Sequence, residues 1–432
     1  MKINQIIILL VLPVLSLFSE DHQGSHPGCT GKLKIVKIVE CVLEHSPELK
    51  FARLELGALE GKKKVAAYLF PSNPYVTMGN SFRKYVGNDQ LNGESGISVN
   101  MEFMVSQEIF LSSQRKSRMQ VALMESNAGF YKSLTIERNT ISDAISAAIR
   151  YRYAEKIVLV YDQISKISDE IHRMISKRSE LGLVPPIEAD LAESEKIKNY
   201  KLYQMALRDY EAQKINLTVM MGVSNREDIS ILDQVSPPIL DNKDQSELID
   251  YAFTHRPEVG VNESMIKMRA KQLDLLHKEK ISNPTISAFS QRDGFMENVI
   301  GAKVSIPLRV WRNQSGEIQE GQYRLKQAES ISEVNRHTIR SEVLQAVSSY
   351  KSLEKELETQ PSGLNSKLND NLEFLKTAIV KGQVNLKEAL VIQQSFLNLK
   401  INLIETEKNL ILSGIEMQRA IGLPFLEFKD HE

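Results

Sequence analysis

The chain has only two cysteines in 432 residues, too few for a disulfide-stapled scaffold or a four-cysteine zinc site. Proline (14) and glycine (21) are sparse, and aromatic residues make up 6%. A large all-β protein needs turn residues every ten or so positions, so most of this chain should be helix. Charge of one sign is also missing: 54 Lys and Arg face 55 Asp and Glu, a net charge of −1. That excludes a strongly basic nucleic-acid binder and an acidic tail protein. Beyond residue 19 no apolar stretch of eighteen residues occurs, so no helical membrane anchor is expected there. What is present is a 42% hydrophobic share, enough for a real core.

The N-terminus departs from these averages. Lys2 followed by the apolar run Ile6 to Phe18 has the length of a secretory h-region, which predicts a signal peptide over residues 1–19. Residues 20–31 then form a polar segment expected to be flexible, with His22, His26 and Cys29 at a spacing that permits metal ligation. Cys29 and Cys41 could pair in an oxidising compartment, remain free thiols, or leave Cys29 open to lipidation. His172, His255, His277 and His337 stand apart, and no catalytic constellation emerges; neither an enzyme nor a cofactor site is expected.

An internal duplication organises the rest. Ser46-Pro47-Glu48 returns as Arg256-Pro257-Glu258, and Ser72-Asn73-Pro74 as Ser282-Asn283-Pro284, both at an offset of 210. Gly182-Leu183-Val184 returns as Gly382-Gln383-Val384, and Met221-Gly222-Val223 as Ile421-Gly422-Leu423, both at 200. The first copy must therefore carry about ten extra residues after its Asn-Pro. The repeats run 32–222 and 246–422, with a linker over 223–245 and a tail over 423–432.

Each copy reads as helix, strand pair, long helix, helix. Apolar residues recur at three and four from Lys32 to Leu69, a helix stopped by Pro71 and Pro74. Val99, Met101, Phe103 and Val105 alternate with mostly polar neighbours, as do Ile300, Ala302, Val304 and Ile306. The partner strands are Tyr75 to Phe82 and Thr285 to Ser290. From Arg115 to Glu180 no proline intervenes, roughly 100 Å of helix. Four amphipathic strands cannot close a barrel, and an open sheet edge cannot sit in lipid, so three copies supplying twelve strands are expected. The other option on periodicity is a small soluble sheet on a coiled-coil rod.

The duplication, the two Asn-Pro strand starts, Ser106-Gln107-Glu108 to Arg115-x-x-Arg118, and Ile306-Pro307-Leu308 with Asn313-x-x-Gly316-Glu317-Ile318 together resemble the TolC-type outer-membrane efflux family. The resemblance covers about residues 32 to 425. Gln107 to Arg118 is most similar to the branch serving heavy-metal efflux pumps, with Ser112-Ser113 where that branch has glycines. The resemblance implies a mainly α chain with a small β part, assembled as a homotrimer. Its twelve-stranded outer-membrane barrel would continue into a long periplasmic helical barrel. It would work with a periplasmic adaptor and an inner-membrane resistance-nodulation-division pump, as a passive tunnel for small solutes (metal cations or drugs). Alternatives are a type I protein-secretion channel, or a periplasmic coiled-coil adaptor, although no Gly- and Val-rich lipoyl-like block is visible. The helix-turn tips at Gly182 and Leu183, and at Gly382 and Val384, would dock the adaptor, since a glycine lets another backbone approach closely. Glu188 and Glu388 each lie six residues past their glycine. The resemblance places an acidic ring at the second position, where three copies of Glu388 would constrict the tunnel. Three residues on, where some members are acidic, Val391 stands here. The other reading makes both glutamates solvated acids of helix surfaces.

Overall fold

The computed structural model describes residues 28–84, 97–223, 228–232, 244–292, 297–361, 363–381 and 383–425. The expected signal peptide, the expected metal-spaced His22 and His26, and Gly382 lie outside the described residues.

One order of elements runs twice. The first copy comprises α1 (Ile35–His45), α2 (Pro47–Ala66), β2 (Tyr75–Lys84), β3 (Ile97–Glu108), α3 (Gln114–Glu180) and α4 (Pro186–Met220), preceded by a short strand β1 (Gly31–Leu33). After β4 (Ile229–Ile231) the second comprises α5 (Gln245–His255), α6 (Pro257–Lys278), β5 (Thr285–Arg292), β6 (Asn298–Ser305), α7 (Ser315–Glu358), α8 (Leu364–Val380) and α9 (Leu386–Ile421).

The single helix expected from Lys32 to Leu69 is two helices. Proline disfavours a helical residue before it and donates no N–H, so Ser46 is extended (ψ 126°) and Pro47 opens α2. Arg256 and Pro257 repeat this corner between α5 and α6. The recurrent Gly-containing landmark is what packs against it. Gly222 (φ +68°) ends the return helix of the first copy, and a Cβ there would stand 3.0 Å from His45 Cβ and 3.2 Å from its carbonyl oxygen. Gly422 (φ +93°) meets His255 and Arg256 in the same way at 3.4 Å. Landmarks some 170 residues apart in sequence are thus two sides of one joint, made twice.

The strands form one antiparallel sheet in the order β2-β3-β5-β6, open at both edges. Its register puts Val76, Met78 and Phe82, then Val99, Met101, Phe103 and Val105, then Ile286 and Ala288, then Ile300, Ala302 and Val304 on one face. Within the chain that face is uncovered: Met78 is 77% and Ile300 83% exposed. Thr77, Ser81, Asn100, Glu102, Ser287, Gln291, Lys303 and Ser305 line the other, with Tyr75, Met104, Phe289 and Val299 among them, while Asn80, Gln107, Ser290 and Arg292 interrupt the first. The extra residues of the first copy lie in its hairpin, whose strands have 10 and 12 residues against 8 and 8.

The main core sits at mid-length of the helices. There Ile35, Ile38 and Val42 of α1, Ala144, Ile145, Ile149 and Tyr151 of α3, residues of β1 and β4, and Ile404, Ile411 and Ile415 of α9 form one buried cluster. β1 and β4 pair in parallel, joining Gly31 to Ile229 and Leu33 to Ile231. Within the linker between the copies lies β4. One expectation is corrected here. Residues 28–31, expected as part of a flexible segment, are tied down, with Cys29 buried and joined to Cys41 by a disulfide. The local reason is that β1 and α1 need the same cover, and the linked sulfurs supply part of it. A sulfur so engaged is neither a lipidation site nor a thiolate metal ligand.

Candidate functional site

Two regions carry the features singled out by the sequence: the helix-turn tips, and the junction where strands pass into helices. The tips lie together at one end. Ile167, Ile171 and Ile175 of α3, Ala192 of α4, Leu375 and Ile379 of α8, and Leu386 and Ala389 of α9 form a single buried cluster beneath both turns.

The first turn closes in a Schellman arrangement: Leu183 N–H donates to the Arg178 carbonyl (2.8 Å) and Gly182 N–H to that of Ser179 (2.9 Å). This needs a left-handed residue, and Gly182 has φ +73° with nothing near where a Cβ would be. The second turn makes the matching bond, Gln383 N–H to the Ala378 carbonyl (2.9 Å). Their flanks differ. Leu181 and Leu183 stand in solvent, the latter 65% exposed, where the second turn has the exposed polar pair Lys381 and Gln383; Val184 and Val384 are both half-buried against the tip cluster. The turn around Gly182 thus exposes two leucines, and the valine that follows each turn packs on the core.

Glu188 and Glu388 both sit in the first turn of a helix, after Pro186 in α4 and after the cap Asn385 in α9, whose Oδ1 accepts from Lys387 N–H (2.9 Å). A carboxylate there is favoured by the helix dipole whatever else it does. Glu188 is half-buried, and with Ile187, Asp190, Leu191, Ser194, Asn385 and Lys387 it lines a cleft of 430 Å³ between the starts of the two helices. Glu388 is exposed, and its neighbours Asn385 and Lys387 line that cleft. Val391 is exposed one turn further along α9. Among the described residues no group of three His, Cys, Asp or Glu could hold a metal ion.

At the other end of the helices, the Asn-Pro and Gln107-to-Arg118 landmarks meet. Asn283 donates to Glu108 Oε1 (2.9 Å) and its Oδ1 accepts from Leu111 N–H (3.2 Å), while Ile109 N–H donates to the Pro284 carbonyl (3.0 Å). Gln107 Nε2 donates to the Ser72 carbonyl (2.9 Å). Gln114, buried at the start of α3, donates to the carbonyls of Lys278 (3.2 Å) and Ile281 (3.0 Å). Arg115 clamps the carbonyls of Ala67 (2.8 Å) and Tyr68 (3.2 Å) that end α2. Arg118 pairs with Glu279 (3.1 Å) and lies over the Phe110 ring. Sequence reasoning named these motifs without their task. They satisfy the orphan backbone groups released where a ladder stops and a helix has not begun.

Ser112 and Ser113, at positions where the resembling branch has glycine, have φ +56° and +57°, and Gln314 before α7 has +61°. Among the described residues these are the non-glycine residues at positive φ, and all stand at strand-to-helix junctions. The left-handed turn is kept although its side chains cost about 1 kcal/mol each.

No family model and no curated protein matches the chain. Solved structures do. The chain is similar to the Campylobacter jejuni CmeC outer membrane channel at 14% identity and a TM-score of 0.75, over 97% of this chain and 94% of that one. With CusC, a protein studied for transmembrane channel formation, the identity is 12% and the TM-score 0.74, over 97% and 99%. With the open state of the Neisseria gonorrhoeae MtrE outer membrane channel the values are 13% and 0.67, over 90% and 89%. The neighbours are TolC-type outer-membrane channels, and this chain has their fold.

Proposed function

We propose that the chain is the outer-membrane channel of a tripartite efflux system, a passive tunnel and not a catalyst. The observation that carries this reading is the four-stranded sheet, mainly apolar and uncovered on one face, mainly polar on the other, and open at β2 and β6. Such edges cannot remain unpaired in lipid. Three copies joined β6 to β2 close a twelve-stranded barrel with Met78, Phe103 and Ile300 against lipid and Glu102 and Lys303 against water. Helices of 67 residues carry the tunnel onward by about 100 Å into the periplasm. Exposed apolar residues along α4, such as Ile197, Tyr200 and Val219, find their cover in the neighbouring copy. The fold shared with CmeC, CusC and MtrE supports the same assignment, and the disulfide fits an oxidising compartment.

The tips at Gly182 and Gly382 meet the periplasmic adaptor, Leu183 lending apolar contact, while an inner-membrane pump supplies the energy. Small solutes, metal cations or drugs, pass through. Glu388 projects a ring of three carboxylates at the tip end, which favours cations. The assembly is tested by cell fractionation and electrophoresis with and without heating. A heat-dissociable trimer in the outer-membrane fraction is expected, and a soluble periplasmic monomer would sink the proposal. For the ring, Glu388→Ala raises the closed-pore conductance in planar bilayers and weakens its block by multivalent cations. Unchanged conductance and block would return Glu388 to an ordinary helix-start acid.

A further inference from the structure

The connection between β6 and α7, residues 306–313, is the least covered apolar segment of the described chain. Ile306 and Leu308 carry the outward alternation of Ile300, Ala302 and Val304 past the end of the strand, and Leu308 is 83% exposed. Val310 and Trp311 follow, the latter 92% exposed and the only tryptophan in the sequence. The loop is not loose. Val310 N–H donates to the Leu308 carbonyl (3.1 Å), Arg309 is fixed to Ser282 Oγ (3.0 Å), and Arg312 reaches Glu317 at 3.4 Å while its side chain stays 90% exposed. The equivalent loop of the first copy, 201 residues earlier, has Phe110 where Trp311 stands, and there the ring is half-buried beneath Arg118.

Resting on the membrane-channel reading above, we infer that residues 306–313 are an interfacial lipid anchor. Leu308, Val310 and Trp311 enter the headgroup–acyl boundary on the side of the membrane facing the helices, and Arg312 meets lipid phosphate. Three observations converge on this occupant. The loop continues the lipid-facing surface of the strands without a polar gap. Tryptophan beside arginine, one ring apolar with a single N–H and one cation, is the pair that suits that boundary. A neighbouring copy joined at the sheet edge would bring residues 67–74 to this level, and that segment holds no acidic residue to receive Arg312. The same segment adds its own exposed aromatics, Tyr68 and Phe70, at the same end of the sheet.

The single tryptophan makes the test direct. The full-length native protein is reconstituted into phosphatidylethanolamine–phosphatidylglycerol vesicles containing phospholipids brominated at shallow or deep acyl positions, and intrinsic fluorescence is read. Trp311 emission is expected to be quenched by the shallow label more than by the deep one, placing the ring within about 5–10 Å of the headgroup boundary. Emission that is blue-shifted but untouched by either label would mean that a second copy covers the ring. Emission quenched only by aqueous iodide would mean that water does. Either result overturns the anchor while leaving the channel reading intact. Protein that fails to float with the vesicles overturns both. Brominated phosphatidylglycerol should quench more than brominated phosphatidylethanolamine, and Arg312→Gln should remove that preference. Equal quenching in the native chain refutes the part given to Arg312.

Discussion

The two copies of the repeated unit solve one architectural problem with different means. Their return helices are nearly equal, 35 residues in α4 and 36 in α9. The outgoing arm is one helix of 67 residues in the first copy. In the second it spans positions 315 to 380, 66 residues, but is broken between α7 and α8 by Pro361 and by Gly363 at φ +77°. The opening helix differs as well. α5 begins on a proper cap, Asp244 accepting from Gln245 N–H (2.8 Å) and from the Ser246 hydroxyl (2.7 Å). α1 follows Lys34, whose own side chain makes no cap, and is fastened by β1 and the Cys29–Cys41 disulfide. Length and direction are what the duplication conserves internally, and the local fastenings are free to vary.

The largest effect should come from the fastening that only one copy has. Cys29→Ser with Cys41→Ser opens a link across 12 residues, which the loop-entropy account values at about 3 kcal/mol. Asp244→Ala, which removes the corresponding fastening of the second copy, should cost about 1 kcal/mol. Thermal unfolding of the helical signal measures both. Equal losses would mean that the disulfide adds nothing beyond an ordinary cap.

Next comes the joint that both copies share. Gly222→Ala meets backbone as well as side chain of His45, and also forces alanine to φ +68°, so about 2 kcal/mol is expected. Gly422→Ala meets side chains at 3.4 Å that can yield, and about 1 kcal/mol should follow from its φ alone. A reversed order would show that the second joint, which also holds Arg256 between Glu258 (3.2 Å) and Glu342 (2.6 Å), is the tighter one.

How much of this was legible beforehand follows from range. The long helices, the period-two strands and the extra residues in the first hairpin are local patterns, and Pro71, Gly182 and the Val99-to-Val105 alternation announce them. The paired landmarks were visible as repeats, but their meaning was not. Only in three dimensions does Gly222 reach His45, or Asn283 reach Leu111. The belt strands β1 and β4 have three residues each and pair across almost two hundred positions, so no window could reveal them. At the tips the spacing found the turns and the glutamates. It could not tell that Val184 and Val384 turn to the core while Leu183 faces out, because exposure depends on which helices close over the turn.

The smallest effect lies on the seam between the copies, where α6 packs on α3. Asp274 is held there by Lys278 (2.8 Å) and by the Ser117 hydroxyl (2.9 Å), and these two hydrogen bonds lower its pKa. At an offset of 210 the first copy has Lys64 and Tyr68 in the places of Asp274 and Lys278, so the acidic link belongs to this seam alone. A carboxyl whose pKa is lower folded than unfolded stabilises the fold above the unfolded value of about 3.9, and loses that contribution as the pH falls through the folded value. Asp274 is 44% exposed, so solvent screening keeps the gain small, about 0.5 kcal/mol or less at neutral pH. Asp274→Asn should therefore lower the unfolding temperature slightly at pH 7, by an amount that shrinks as the pH falls through the lowered folded-state pKa. A difference that persists undiminished in acid would assign the loss to packing at the α3–α6 contact, and the seam would then differ from the rest of the repeat by shape and not by charge.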